Sequence, residues 1–130
     1  MVETDSSEEQ IKLICQEMAQ GKWNKYWSED CFLIRPSGNP LSADQELQMR
    51  ASQDITMTKE ELVEINKVCL YGKIATCCFT VHQVFSYKGT PNDDISVVLV
   101  VLQKENGLWK MVTGSRSQGR SPSDPLPKFD

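Results

Sequence analysis

The chain has 130 residues, a formal net charge of −4, 39% hydrophobic residues and 25% charged residues, the profile of one soluble globular unit long enough to bury a real core. Its acidic balance and scattered basic residues exclude an extended nucleic-acid-binding surface, and no apolar run approaches the about 18–20 residues that cross a bilayer. The acidic start over residues 1–10 lacks the basic and apolar regions of a secretory leader, so a cytoplasmic location is expected.

In chain order, Ser6 and Ser7 are followed at capping-box spacing by Glu9 and Gln10. Ile11, Ile14, Cys15 and Met18 then recur at helical spacing, which predicts an amphipathic helix over residues 8–20 ended by Gly21. A short second helix over residues 22–28 would present Trp23, Tyr26 and Trp27 on one side. Residues 31–35 read as a short strand, stopped by the turn cluster Pro36-Ser37-Gly38-Asn39-Pro40. Ser42 with Gln45 is a further capping box, opening a helix that runs to about Ser52 and carries Leu47 and Met49.

Residues 59–71 begin like a helix, but Val63, Ile65, Cys69 and Tyr71 alternate as in a strand, and a strand is the preferred reading. Residues 74–88 form a strand of about 50 Å, which must bend, with a bulge as the expected device. Lys88-Gly89-Thr90-Pro91-Asn92-Asp93 turns the chain into a strand over residues 95–103. The hairpin signal Asn106-Gly107 then leads into a last strand over residues 108–117. The expected organisation is a single α+β unit over residues 1–118 and a C-terminal tail, rich in Ser, Pro and charge, over residues 119–130.

Five cysteines, no C-x-x-C pair and a single histidine predict reduced, mostly buried thiols and no metal site. The Gly114–Gly119 stretch lacks P-loop spacing and a following helix, so no cofactor is expected.

The strand faces carry more information. On the long strand Ala75, Cys77, Phe79, Val81, Phe85 and Tyr87 share an apolar face, and Ile74, Thr76, Cys78, Thr80, His82, Val84 and Ser86 share a mixed one. The next strand is apolar on both faces: Ile95, Val97, Leu99 and Val101 on one, Val98, Val100 and Leu102 on the other. A strand of that kind needs cover on both sides. The helices cover one. A second copy of the same sheet is expected to cover the other, giving a homodimer through the face carrying Cys78, Thr80, His82, Val98, Val100 and Leu102. Cover by the C-terminal tail is the alternative.

The order of elements resembles the nuclear transport factor 2-like superfamily, in its SnoaL-like and ketosteroid isomerase-like branch. The resemblance rests on Trp23 and Tyr26-Trp27 before Ser28-Glu29-Asp30-Cys31-Phe32, the turn at Gly38 and the helix after it. The long strand at Ile74-Ala75-Thr76-Cys77-Cys78-Phe79, the turn at Tyr87-Lys88-Gly89 and Gly107-Leu108-Trp109-Lys110-Met111-Val112 add to it. It implies an α+β, cystatin-like cone: N-terminal helices packed on a long, curved, mostly antiparallel sheet, with an internal pocket and frequent sheet-to-sheet dimers. Members include isomerases, dehydratases, cyclases, kinase association domains and transport factors, so the fold does not choose a function.

An isomerase of this fold needs a carboxylate or histidine tuned by an apolar pocket. The candidates are Asp30 as base and Tyr26 as phenol donor; no second carboxylate stands in the long strands, a departure from the isomerase pattern. His82, by strand parity, belongs to the interface face. Arg35 and Arg116 are candidate anchors for a carboxylate or phosphate, or else partners of sheet-edge acids. Trp27, Phe32, Met49, Phe79, Trp109 and Met111 are candidate pocket walls, or else plain core. The expected function is binding of a small apolar ligand inside the cone, with lyase or isomerase chemistry as an extension. The alternative is a non-catalytic dimerisation or protein-interaction module whose interior is filled.

Overall fold

Helix α1 (Val2–Ala19) runs first in the chain, in a computed structural model that describes residues 2–129 and the side chains from Ser7 onward. It begins before the predicted cap, so Ser7 lies inside it, and the side chain of Ser6 is outside the described residues. Ile11, Ile14, Cys15 and Met18 are buried as the spacing predicts. Gly21, at φ +90°, closes the helix: its N–H reaches Met18 O at 2.9 Å and Lys22 N–H reaches Glu17 O at 3.0 Å.

The predicted second helix is only a 3-10 turn, Trp23–Lys25, because the aromatic run that follows extends into strand β1 (Trp27–Ile34). After the Gly38 turn come the short β2 (Pro40–Ser42) and helix α2 (Ala43–Ala51), opened by the complete Ser42–Gln45 capping box. Strands β3 (Ile55–Tyr71), β4 (Ile74–Tyr87), β5 (Thr90–Glu105) and β6 (Leu108–Arg116) then form a meander. The ambiguous 59–71 segment is therefore strand, and it starts earlier, at Ile55. All six strands make one sheet in the order β2-β1-β6-β5-β4-β3, antiparallel except where β1 pairs with β6. The molecule is an α+β cone, two helices against a long curved sheet. No helix among the described residues is long and apolar enough to cross a membrane.

The bend has a different origin from the one expected. Strand β4 pairs with β5 without interruption from Ile74↔Gln103 to Tyr87↔Thr90. The register breaks lie in β3, between Met57 and Lys59, Leu62 and Glu64, and Ile65 and Lys67. Putting these extra residues in an edge strand curves the sheet while leaving the β4–β5 ladder whole. The parity reading of β4 consequently holds: Ala75, Cys77, Phe79 and Val81 are all buried under α1.

The β4–β5 turn is also tighter than expected. Lys88 (φ 49°) and Gly89 (φ 85°) make the turn alone, so Pro91, Asn92 and Asp93 belong to β5. That geometry sets Tyr87 opposite Thr90 and places odd-numbered residues of β4 on the same face as even-numbered residues of β5. Val98, Val100 and Leu102 therefore pair with Phe79, Cys77 and Ala75 and lie in the core, at 2%, 0% and 0% exposure. They do not share the face of Cys78, Thr80 and His82, as the sequence reading had it. That outer face carries Val97, Leu99 and Val101 instead, with Leu99 at 44% exposure.

The chain beyond β6 stays on the molecule. Arg120 bridges Ile95, Pro127 is buried, and Lys67 Nζ lies 5.9 Å from the Phe129 ring centroid. Lys67 pairs with Cys78, so this segment crosses from β5 to β3 over the outer face and covers part of it.

All five cysteines are free thiols. The hydrogen bond with Cys77 and burial push the Cys15 thiol far up, and burial beside Asp30 pushes Cys31 up to about 11. Alkylation of the native protein at neutral pH is accordingly expected to spare Cys15, Cys31 and Cys77, read by peptide mass mapping. From an unfolded-chain value of 9.0, the native state holds the Cys31 proton more tightly, so its contribution is intact below pH 9 and is lost as pH rises towards 11. Urea midpoints are expected to fall across that window, and less steeply in Cys31→Ala.

Candidate functional site

The interior of the cone is filled at one end and open at the other. Under α1, Phe79, Met111, Trp109, Ile11 and Met18 close the space with side chains. Towards α2 a cavity of about 420 Å³ remains, bounded by the β1–β2 turn, α2 and the ends of β3 to β6. Its apolar walls include Leu33, Leu41, Met49, Met57, Phe85 and Val98. Trp23 separates the two halves, lining the cavity while its ring sits 6.4 Å from that of Phe79.

A polar network crosses the cavity floor. In α2, Glu46 and Arg50 stand at i, i+4, and Arg50 Nε donates to Glu46 Oε1 at 2.8 Å. Arg50 Nη1 also reaches Glu60 Oε1 on β3 at 3.2 Å. Gln83 on β4, only 4% exposed, donates from Nε2 to Glu60 Oε2 at 3.3 Å. Gln83 Oε1 in turn accepts from Arg116 Nη1 on β6, and the Arg116 guanidinium lies 5.9 Å from the centre of the Trp23 ring.

The two arginines are held differently. Burial opposes the Arg50 charge, but Glu60 and Glu46 outweigh it and its pKa lies above the ordinary value. For Arg116, burial and the neighbouring Arg50 charge win over Glu46, Glu60 and Asp94, and the pKa is lowered. Arg116 makes no ion pair among the described residues.

Of the residues expected from the sequence, Arg35, Met49 and Arg116 line this cavity. Phe79, Trp109 and Met111 do not; at 0%, 5% and 0% exposure they are core. Trp27 packs against that core, and Phe32 points away from the cavity, 47% exposed on the outer face. Asp30 is exposed on β1, where alternation turns it outward from the neighbouring buried Cys31. Tyr26 donates its hydroxyl hydrogen to Glu17 of α1, whose carboxylate also meets Lys25 Nζ at 3.2 Å. Asp30 and Tyr26 are thus brought neither to the cavity nor to each other's work. His82 lies on the outer face, between Asp93 (2.6 Å) and Glu61 (3.7 Å). The described residues contain no cluster suited to a metal ion.

Sequence reasoning missed Glu46, Arg50, Glu60 and Gln83. Two signals were available: the i, i+4 spacing of Glu46 and Arg50, and the polar Gln83 on the otherwise apolar face of β4.

This architecture is the nuclear transport factor 2-like, cystatin-like fold. The chain belongs to the family described as protein of unknown function DUF3804, whose model matches residues 6–124. Among solved structures it is similar to a nuclear transport factor 2-like protein of unknown function from Prochlorococcus, with 34% identity and a TM-score of 0.78 over 88% of this chain and 94% of that one. A Novosphingobium aromaticivorans protein described as having a cystatin-like fold aligns at 13% identity and a TM-score of 0.66, covering 89% of this chain and 84% of its own. A Streptomyces avermitilis member, provisionally described as a dehydratase, aligns at 17% identity and a TM-score of 0.63, covering 88% and 96%. At those two identities the likeness shows the fold alone. No curated protein matches the sequence.

Proposed function

We propose that this protein is a ligand-binding domain that takes a small, mainly apolar molecule into the α2 end of the cone. The observation that carries the reading is the cavity of about 420 Å³, with Met49, Met57 and Phe85 on its mainly apolar walls and a hydrogen-bonded polar network at its floor. Few polar groups in an apolar concavity of this size are the usual make-up of a small-molecule site. Glu46 and Glu60 are both engaged by Arg50, which suits a binding floor better than a proton-transferring one. Isomerase or lyase chemistry through Asp30 and Tyr26 has no support from their positions.

The test is fluorescence titration with the uncharged apolar probe phenylnaphthylamine. Saturable binding is expected, lost in Met57→Trp, which fills the cavity while urea denaturation shows the fold retained. Absence of binding by the parent protein would count against the reading.

A second surface supports self-association. The outer face exposes Leu99 and Phe32 beside half-buried Val97 and Val101, close to Cys78 and His82. A second copy of this face, related by two-fold symmetry, is the proposed cover, the C-terminal segment shielding the remainder. Sedimentation velocity is expected to show a dimer, and a single monomeric species would refute it.

A further inference from the structure

Arg116 leaves most of its hydrogen-bonding capacity unused on the cavity floor. A guanidinium carries five N–H donors in a planar fork, and among the described residues Arg116 bonds only to Gln83. Of its carboxylate neighbours, Glu46 is engaged by Arg50 and Glu60 by Arg50 and Gln83, while Asp94, opposite Gln83 on β5, makes no hydrogen bond or ion pair with it. The ring of Trp23 on one side and Gln83 on another restrict how the fork can turn. Arg116 is half-buried, and a cation withdrawn from water is normally paired, because desolvation without a counter-charge is costly. Here the cavity lies where that partner would be.

Resting on the reading of the cavity as a ligand site, we infer that its ligand is a small amphipathic monocarboxylate whose head group takes the fork of Arg116. Its apolar body lies against Met49, Met57 and Phe85. A carboxylate matches the guanidinium fork with two parallel hydrogen bonds. A doubly charged phosphate fits less well, since Glu46 and Glu60 stand in the same network and one cation offsets only one charge. Arg35, which also lines the cavity and makes no ion pair among the described residues, adds a second positive charge nearer the turn.

The experiment compares matched pairs on the full chain by thermal shift and calorimetry: octanoate with octanamide, cinnamate with cinnamamide, and octyl phosphate as the dianionic arm. Each carboxylate is expected to bind more tightly than its amide by roughly 10- to 150-fold. That preference should vanish in Arg116→Gln and shrink in Arg116→Lys, which keeps the charge but loses the fork. Phenylnaphthylamine serves as the fold-and-cavity control and should bind all three proteins. If Arg116→Gln fails to fold, the parent and Arg116→Lys decide the matter alone. Equal affinity within the pairs, with the uncharged probe still bound, overturns the carboxylate assignment and leaves the cavity reading standing. Tighter binding of octyl phosphate than octanoate replaces the monocarboxylate by a dianion and so overturns the inference. Failure of every compound and of the probe overturns both readings.

Discussion

Val100→Asp is expected to unfold the protein, at a cost of about 5 kcal/mol or more. Val100 is fully buried at the centre of the sheet, between Cys77 of β4 and Gly114 of β6. A carboxylate there would have to be ionised without a partner or carry its proton in an apolar site, and either is costly. The space offers no escape: a Cβ added at Gly114 would already stand 2.6 Å from Met111 Cε and 2.8 Å from the Leu99 carbonyl. Leu99→Asp, one residue away, is expected to cost under about 1 kcal/mol in the monomer, because Leu99 faces outward at 44% exposure. Its effect should fall on self-association, converting a dimer to a monomer. Urea denaturation and sedimentation of the two variants separate the faces. The assignment fails if Leu99→Asp unfolds the chain while Val100→Asp tolerates the charge.

Arg50→Leu is the second substitution with a large expected effect, a loss of about 3–5 kcal/mol. Its guanidinium holds two nearly buried carboxylates on separate elements, Glu46 of α2 at 2.8 Å and Glu60 of β3 at 3.2 Å. Removing it leaves both nearly buried carboxylates without their counter-charge. The cost is that of the orphaned carboxylates rather than of the ion pair as such, since a buried pair in itself adds little net stability. Glu60→Gln in the Arg50→Leu background should therefore restore roughly 1–2 kcal/mol, and by itself Glu60→Gln should cost less than Arg50→Leu. Additive losses in this double-mutant cycle would refute the coupling. Because Arg50 joins α2 to β3 across the cavity floor, the Arg50→Leu protein should also lose affinity for phenylnaphthylamine.

Much of the fold was legible in the residues because the deciding forces are local. The Ser42–Gln45 capping box opened α2 where its hydrogen bonds required. Gly21 ended α1 because the left-handed conformation it adopts is open to glycine. The period-two pattern of Ala75, Cys77, Phe79 and Val81 predicted the buried face of β4, since successive strand side chains must alternate. The aromatic run after Trp23 was less clear, because helical spacing and β propensity compete there and pairing with β6 decides for strand.

The candidate site was only partly legible. Arg35, Met49 and Arg116 were named from residue type and reached the cavity, whereas Asp30, Tyr26, Trp27 and Phe32 did not. Those four lie on β1 and at the end of the 3-10 turn before it, where a residue's direction depends on how β1 docks beside β6 rather than on its neighbours in sequence. Glu46, Glu60, Gln83 and Arg116 come from four elements, and nothing in their spacing announces that they converge.

By itself, then, the amino-acid sequence determined the class of protein: an α+β chain whose strands and helices are written in alternation, capping and turn residues. Two apolar faces on β5 were equally plain in it. Which of those faces meets the helices was settled only by the tertiary structure, through the two-residue turn at Lys88-Gly89 that fixes the register of β4 against β5. A shift of a single residue there would exchange the core with the outer surface, because side chains alternate with a period of two. The same holds for the cavity: its walls and the polar network on its floor exist only once four distant segments pack together.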